Sequence, residues 1–201
     1  VGKSTLVEEC LKQFNLHKKL KSKRFKLIQE VARGVLKKLQ ITGKTLQDYI
    51  EQNRIDEFSN VQEQIILEQV LHFDREQREN YLSDRTGFDA LAYVHHYFQN
   101  EGKASSIFKS EQFHQLIEQC QRGLIFIIQP HEHLQAHDDN MRLVPSYHDQ
   151  IEYTKCLEFW YRKACLPYFI ITDLDLKKRV EFIEGHINGN FHWLPSSSVR
   201  N

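Results

Sequence analysis

Apolar residues recur along this chain at two periods, one helical and one extended. From Ser4 onward, Val7, Cys10, Leu11 and Phe14 fall at i, i+3, i+4 and i+7, which predicts an amphipathic helix. Phe25 to Gln29 predicts a short strand. Val31 to Leu39 returns to helical spacing, with Gly43 as its stop. From Leu46 to Arg78 the chain is rich in Gln and Glu, and Phe58, Val61 and Ile65 recur at helical intervals. That stretch predicts one or two helices with a wet outer face. Tyr81-Leu82-Ser83 predicts a second strand, and Phe88 to Phe98 a helix aligning Phe88, Leu91, Ala92 and His95. Asn100 to Ser106 reads as a polar, turn-rich connector. Phe113, Leu116, Ile117 and Cys120 mark another helix, with Gly123 where a C-cap belongs. Leu124 to Ile128 is an unbroken apolar run ended by Pro130, the pattern of a parallel strand covered on both faces. His131 to Pro145 reads as a polar loop. Tyr153, Leu157, Trp160, Tyr161 and Ala164 then predict a helix, Tyr168 to Thr172 a last strand, and Leu174 to Ile187 a last helix.

Alternation of this kind implies an α/β domain on a parallel sheet. The 201 residues suit one domain with a sizeable core. It is expected over residues 1–187, with a loose Ser-rich tail over 188–201. Hydrophobic residues at 40% and charged residues at 27% place the chain in the globular class. Basic and acidic residues balance at 27 each, so no global charge draws it to nucleic acid or an acidic membrane. Leu124 to Ile128 is too short to span a bilayer, and no signal peptide is visible. Cys10, Cys120, Cys156 and Cys165 show no paired spacing and read as reduced thiols of a cytoplasmic protein.

The candidate chemistry starts at Val1-Gly2-Lys3-Ser4-Thr5, the back half of a loop of the form G-x-x-x-x-G-K-[ST]. In such a loop the glycine lets backbone approach a phosphate, the lysine reaches the outer phosphates, and the hydroxyl holds magnesium. A helix starting here points unpaired N–H groups at the same phosphates. The alternative is a chance tripeptide. The chain opens without a methionine and in mid-motif, so a truncated product is expected.

Three further stretches bear on the choice: Glu30-Val31-Ala32-Arg33, Tyr81 through Tyr93, and Asp138-Asp139-Asn140-Met141-Arg142. With the loop remnant they resemble the P-loop family that includes the ribosylnicotinamide-kinase domain of bacterial NAD-biosynthesis regulators. That family also contains animal translocation-defect proteins thought to bind GTP. The resemblance runs from the loop remnant to about Ile171. Its most specific part is the D-R-x-x-x-D-x-x-x-Y run from Asp84 to Tyr93. The family's D-G-V-R pattern meets Asn140 here where glycine is usual.

The resemblance implies a three-layer P-loop fold with a parallel sheet and kinase-like strand order, the first strand being absent from this chain. Cofactors would be Mg2+ with ATP or GTP, bound by Gly2, Lys3, Ser4, Thr5 and Arg85. Ser4 and Asp84 would hold the metal. Asp84 ends a strand, where an acid can support magnesium, and reads also as a helix N-cap. Arg85 could clasp phosphate bidentately or pair with Asp89, four residues on. Glu30, at a strand's carboxyl end, is the candidate base toward an acceptor hydroxyl, or a helix-start acid. Arg33 is a candidate substrate contact. Arg142 lies where the family carries a lid and would stabilise transition-state charge, or pair with Asp138 or Asp139. The crowded His131, His133, His137, Asp138 and Asp139 match no standard zinc spacing.

The expected function is Mg-dependent purine nucleotide binding with phosphotransfer to a nucleoside-type hydroxyl. The competing expectation is a GTP-binding regulatory or trafficking module with little transfer. The strand leading into the loop would lie between the strands near Leu82 and Ile127. A chain without it is expected to fold poorly and bind nucleotide weakly, since each unmade buried hydrogen bond costs ~1–3 kcal/mol.

Overall fold

The computed structural model describes residues 3–16, 25–75, 80–132 and 145–189, except the side chains of Lys3, Leu16 and Arg75. Helix α1 (Lys3–Leu16) leads into strand β1 (Phe25–Ile28) and helix α2 (Val31–Lys38). Helices α3 (Gly43–Glu51) and α4 (Ile55–Arg75) follow, then β2 (Asn80–Ser83) and α5 (Gly87–Phe98). Next come α6 (Glu101–Phe108), α7 (Glu111–Cys120), β3 (Phe126–Ile128), α8 (Tyr147–Lys163), β4 (Phe169–Ile171) and α9 (Leu176–Ile187).

Four readings of the sequence need correction. Gly43 opens α3 instead of stopping α2, because Thr42 just before it and Thr45 two residues after it form a capping box. The stretch Asn100 to Ser106 is not a connector. Asn100 caps α6 by accepting from the Lys103 N–H, and Ala104 and Ile107 are buried. Gly123 is not a left-handed C-cap, since α7 ends at Gln121 in right-handed geometry. The apolar run at Leu124 yields only three strand residues: Leu124 is 47% exposed, Ile127 is buried, and Phe126 and Ile128 are half-covered.

Among the described residues the strands form two parallel pairs, β1 with β2 and β3 with β4, where one sheet was expected. Leu27 lies opposite Leu82, and Ile127 opposite Ile170. The strands at Leu82 and Ile127 belong to different pairs, and both line a single cleft of ≈ 1200 Å³. The architecture is a mixed α/β domain with short parallel sheets.

Two apolar cores hold these elements. The larger gathers residues from α2 through α8, with Phe58, Phe88, Phe113 and Trp160 fully buried. Phe88 stacks on Tyr161 and meets Phe113 edge-on. The smaller joins α1 to α9 through Leu6, Cys10, Phe14, Ile171, Val180 and Ile183. The face of α1 is therefore Leu6, Cys10 and Phe14, at i, i+4 and i+8, with Val7 and Leu11 only partly covered. All four cysteines are unpaired thiols, and burial pushes Cys10 and Cys120 each up to about 12. Among the described residues no helix is long and apolar enough to cross a membrane.

Candidate functional site

The site assembles where β1 and β2 end. The pairing continues one residue past β2, the Asp84 N–H donating to the Ile28 carbonyl at 3.0 Å. This fixes Asp84, which is 6% exposed, at the carboxyl end of its strand. There its carboxylate accepts from the Ser4 hydroxyl at 2.5 Å. Two stretches 80 residues apart, the G-K-S remnant and the D-R run, thus meet at one point. Asp84 is not the helix cap. That position belongs to Thr86, whose Oγ1 accepts from the Phe88 N–H, while Asp89 accepts from the Thr86 N–H. Gly87 follows because there is no room for a side chain: an added Cβ would lie 2.5 Å from a Leu116 methyl.

Arg85, between Asp84 and Thr86, takes a backbone φ of 86°. That region is uncommon for any residue but glycine. The Ser83 hydroxyl holds the turn by donating to the Arg85 carbonyl at 2.6 Å. The Arg85 guanidinium lies among three partners. Its Nε is 2.8 Å from Glu30 Oε1, in ion-pair contact without hydrogen-bond alignment. Its Nη1 donates to Tyr93 Oη at 3.0 Å and to Asp89 Oδ1 at 3.4 Å. Burial opposes the charge, but Tyr93, Glu30 and Asp89 outweigh it and hold the proton more firmly than usual. Asp89 Oδ1 also accepts from Tyr153 Oη at 2.6 Å. Burial, then Asp89, keep the Tyr153 phenol neutral far above its ordinary range. The second Glu30 oxygen accepts from Arg33 Nε at 3.0 Å.

The structure therefore brings Ser4, Thr5, Glu30, Asp84 and Arg85 to one cleft. Arg33 is adjacent through Glu30. Lys3 is the first residue of α1, while its side chain, Gly2 and Arg142 lie outside the described residues, as do His133, His137, Asp138 and Asp139. His131 is described, with Nε2 3.0 Å from the Thr172 carbonyl. Sequence reasoning passed over Thr86, Tyr153 and Tyr161, whose hydroxyls tie the site to α8. Thr86-x-x-Asp89 carried a readable capping-box signal. The tyrosines carried none, lying 64 and 75 residues from their partners.

A magnesium ion fits what is present. Ser4 and Asp84 offer hard oxygen donors at one point. Among the described residues no group of three His, Cys, Asp or Glu could cage a metal alone. Magnesium suits such a sparse site, because it keeps waters and takes the remaining ligands from phosphates.

A family model described as an AAA domain matches residues 1–179. That description is of a nucleotide-binding domain of P-loop type, for which magnesium is the usual companion. Comparison with curated proteins and with solved structures gives no match. With the match spanning residues 1–179 of 201, the chain belongs to the AAA_28 family of AAA domains.

Proposed function

We propose that the chain binds a magnesium purine nucleotide, ATP or GTP, and transfers phosphoryl to a hydroxyl of a nucleoside-type small molecule. The observation that carries this reading is the hydrogen bond from Ser4 to Asp84, which joins the loop remnant to a strand-end acid. Gly2 and the first N–H groups of α1 would cradle phosphate, and Lys3 would neutralise it. Ser4 and Asp84 would hold magnesium, with Thr5 flanking the nucleotide. The ion would neutralise charge on the phosphates. Glu30 would take the acceptor's proton, with Arg33 as a substrate contact, and Arg142 would close over the phosphates. A kinase-like strand order, one domain over residues 1–187 and a cytoplasmic location belong to the same proposal.

A second reading, a GTP-binding regulatory module with little transfer, is favoured by one observation. Both carboxylate oxygens of Glu30 are already engaged, one by Arg33 and the other by Arg85, instead of standing open to an acceptor hydroxyl.

Magnesium-nucleotide affinity, measured by titration calorimetry, is expected to be lost in Lys3→Ala and reduced at least ~10-fold in Asp84→Asn, the size of one lost charge-assisted contact. Unchanged affinity in both variants sinks the binding reading. Acceptor-dependent nucleotide consumption that disappears in Glu30→Gln supports transfer. Tight GTP binding with no turnover across a nucleoside panel supports the regulatory module.

A further inference from the structure

We infer that Arg85 is a positioning residue that holds Glu30, not a ligand of the nucleotide phosphates. The inference rests on the reading of Glu30 as the acceptor-side acid, and its test separates the two.

The geometry divides the labour of two adjacent residues. Asp84 turns to Ser4 at 2.5 Å. Arg85, with its φ of 86°, turns to Glu30, Asp89 and Tyr93. Its side chain is only 11% exposed, and the two carboxylates it touches are covered to a similar degree. With Arg33 counted, two guanidinium groups face two carboxylates, so the cluster has no net positive charge to offer. A phosphate placed beside it would meet Glu30 and Asp89 as well, a like-charge juxtaposition in a partly dry site.

The anchoring is one-sided. Asp89 is pinned by the Thr86 N–H within its capping box and by Tyr153 from α8. Tyr93 stacks between Tyr97 and Tyr153, its ring centroid 5.8 and 4.7 Å from theirs. Arg85 thus takes its position from the rigid α5–α8 side and transmits it to Glu30, a residue on the connection between β1 and α2. Glu30 has no cap hydrogen bond of its own at the start of α2. Arg33 grips the other Glu30 oxygen but is itself 47% exposed, whereas Arg85 is 11% exposed.

The experiment compares the full chain with R85K, R85M, E30Q and the double variant R85M/E30Q. Magnesium-nucleotide Kd and nucleotide KM are expected to stay within about twofold in R85M. Acceptor-dependent kcat is expected to fall about 100-fold, the scale of a displaced reacting group. R85K, which keeps the charge without the fork, is expected to recover part of that loss. Adding R85M to E30Q is expected to cost no further activity, and their melting-temperature shifts are expected to be less than additive. A wild-type chain with no acceptor turnover ends the kinase reading alone. The positioning role is then decided by the melting-temperature cycle, and additive shifts overturn it. A tenfold or greater loss of nucleotide affinity in R85M overturns it directly. If R85M does not fold, the same affinity and coupling measurements on R85K decide.

Discussion

The two sides of the cleft are built differently. On the Glu30–Arg85 side, each charged group has several partners, and through Asp89, Tyr93 and Tyr153 the network reaches α5 and α8 in the larger core. On the Ser4 side, one hydrogen bond joins Asp84 to a helix held by the smaller core. A dense network on a rigid base keeps geometry with or without ligand. A site fastened by one hydrogen bond among the described residues can shift when phosphate arrives. On the proposed reading, the difference makes the acceptor side preorganised and leaves the phosphate side to gain order from the nucleotide.

The largest expected effect tests whether the two cores are separable. Trp160→Ala, at a fully buried position of the larger core, is expected to cost ~3–5 kcal/mol, the usual range for deleting a buried aromatic ring. It should lower amide-exchange protection throughout the molecule. Phe14→Ala removes an equally buried ring from the smaller core. Its loss of protection is expected to concentrate in α1 and α9, leaving α4, α5 and α8 largely protected. Uniform loss in both variants would mean one cooperative unit, and the contrast between the two sides would disappear.

Next comes the packing that supports the rigid side. Gly87→Ala would force a Cβ to 2.5 Å from a methyl of Leu116, itself fully buried between α5 and α4. The expected destabilisation is about 1–3 kcal/mol, typical of overpacking. Because Gly87 begins the helix bearing Asp89 and Tyr93, acceptor-side function should suffer more than nucleotide affinity. The reverse order, with nucleotide binding lost first in calorimetric titrations, would break the assignment of sides.

What could be read from the sequence follows the same division. Helices α2, α5, α7 and α8 were legible because burial and period coincide; α1 was legible as a helix, but its buried face is Leu6, Cys10 and Phe14 instead of the predicted stripe through Val7 and Leu11. Helix α6 was not, since Gly102 and the serines 105 and 106 dilute its pattern and only Ala104 and Ile107 pack inward. The strand at Ile127 was overextended because an apolar run says nothing about which residues find a neighbouring strand. At the site, Glu30, Asp84 and Arg85 were legible as chemical types at strand ends, and Ser4 as a hydroxyl at a helix start. Their partners were legible only in part: the Arg85–Asp89 pair could be read from its i, i+4 spacing, while the contacts of Arg85 with Glu30 and of Asp89 with Tyr153 depend on tertiary neighbours that no local spacing announces.

A smaller effect concerns pH. His96 is buried on α5, with Tyr97 and Tyr153 as ring neighbours, and His95 lies edge-on to Phe159 and Trp160. Burial lowers the pKa of both below the ordinary histidine value. For His96, Asp149 and Glu152 pull the other way, while His95 and His148 add to the lowering; for His95, Glu101 opposes and Lys163 adds. A base whose folded pKa is lowered binds fewer protons folded than unfolded, so stability is full above about pH 6.5 and falls as pH drops through the folded values. The melting temperature is therefore expected to decline between pH 7 and 5, and to decline less in a His95→Gln/His96→Gln variant. An identical slope in that variant would remove the α5 histidines as the source of acid sensitivity on the rigid side.

The smallest expected effect sharpens how far the rigid side extends. Asn100 caps α6, its Oδ1 accepting from the Lys103 N–H at 2.8 Å on an exposed surface. Replacing an Asn cap by Ala costs about 1 kcal/mol in typical helices. If α6 is an integral part of the larger core, that cost appears in full in the global unfolding free energy, because Ala104 and Ile107 cannot leave without opening the packing beneath them. If α6 instead frays by itself, the cost appears as faster exchange of α6 amides, with the denaturant midpoint unmoved. Lys163 offers an internal control: from α8 it contacts Glu101 at 3.0 Å and Ser105 at 3.4 Å, both on α6. Fraying of α6 would loosen that contact, so Lys163→Met should add little in the Asn100→Ala background if fraying dominates. It should add its own few tenths of a kcal/mol, the usual worth of an exposed pair, if α6 stays docked. A docked α6 places the boundary of the rigid half beyond α5, which is what an acceptor side held by Tyr93, Tyr153 and Tyr161 requires.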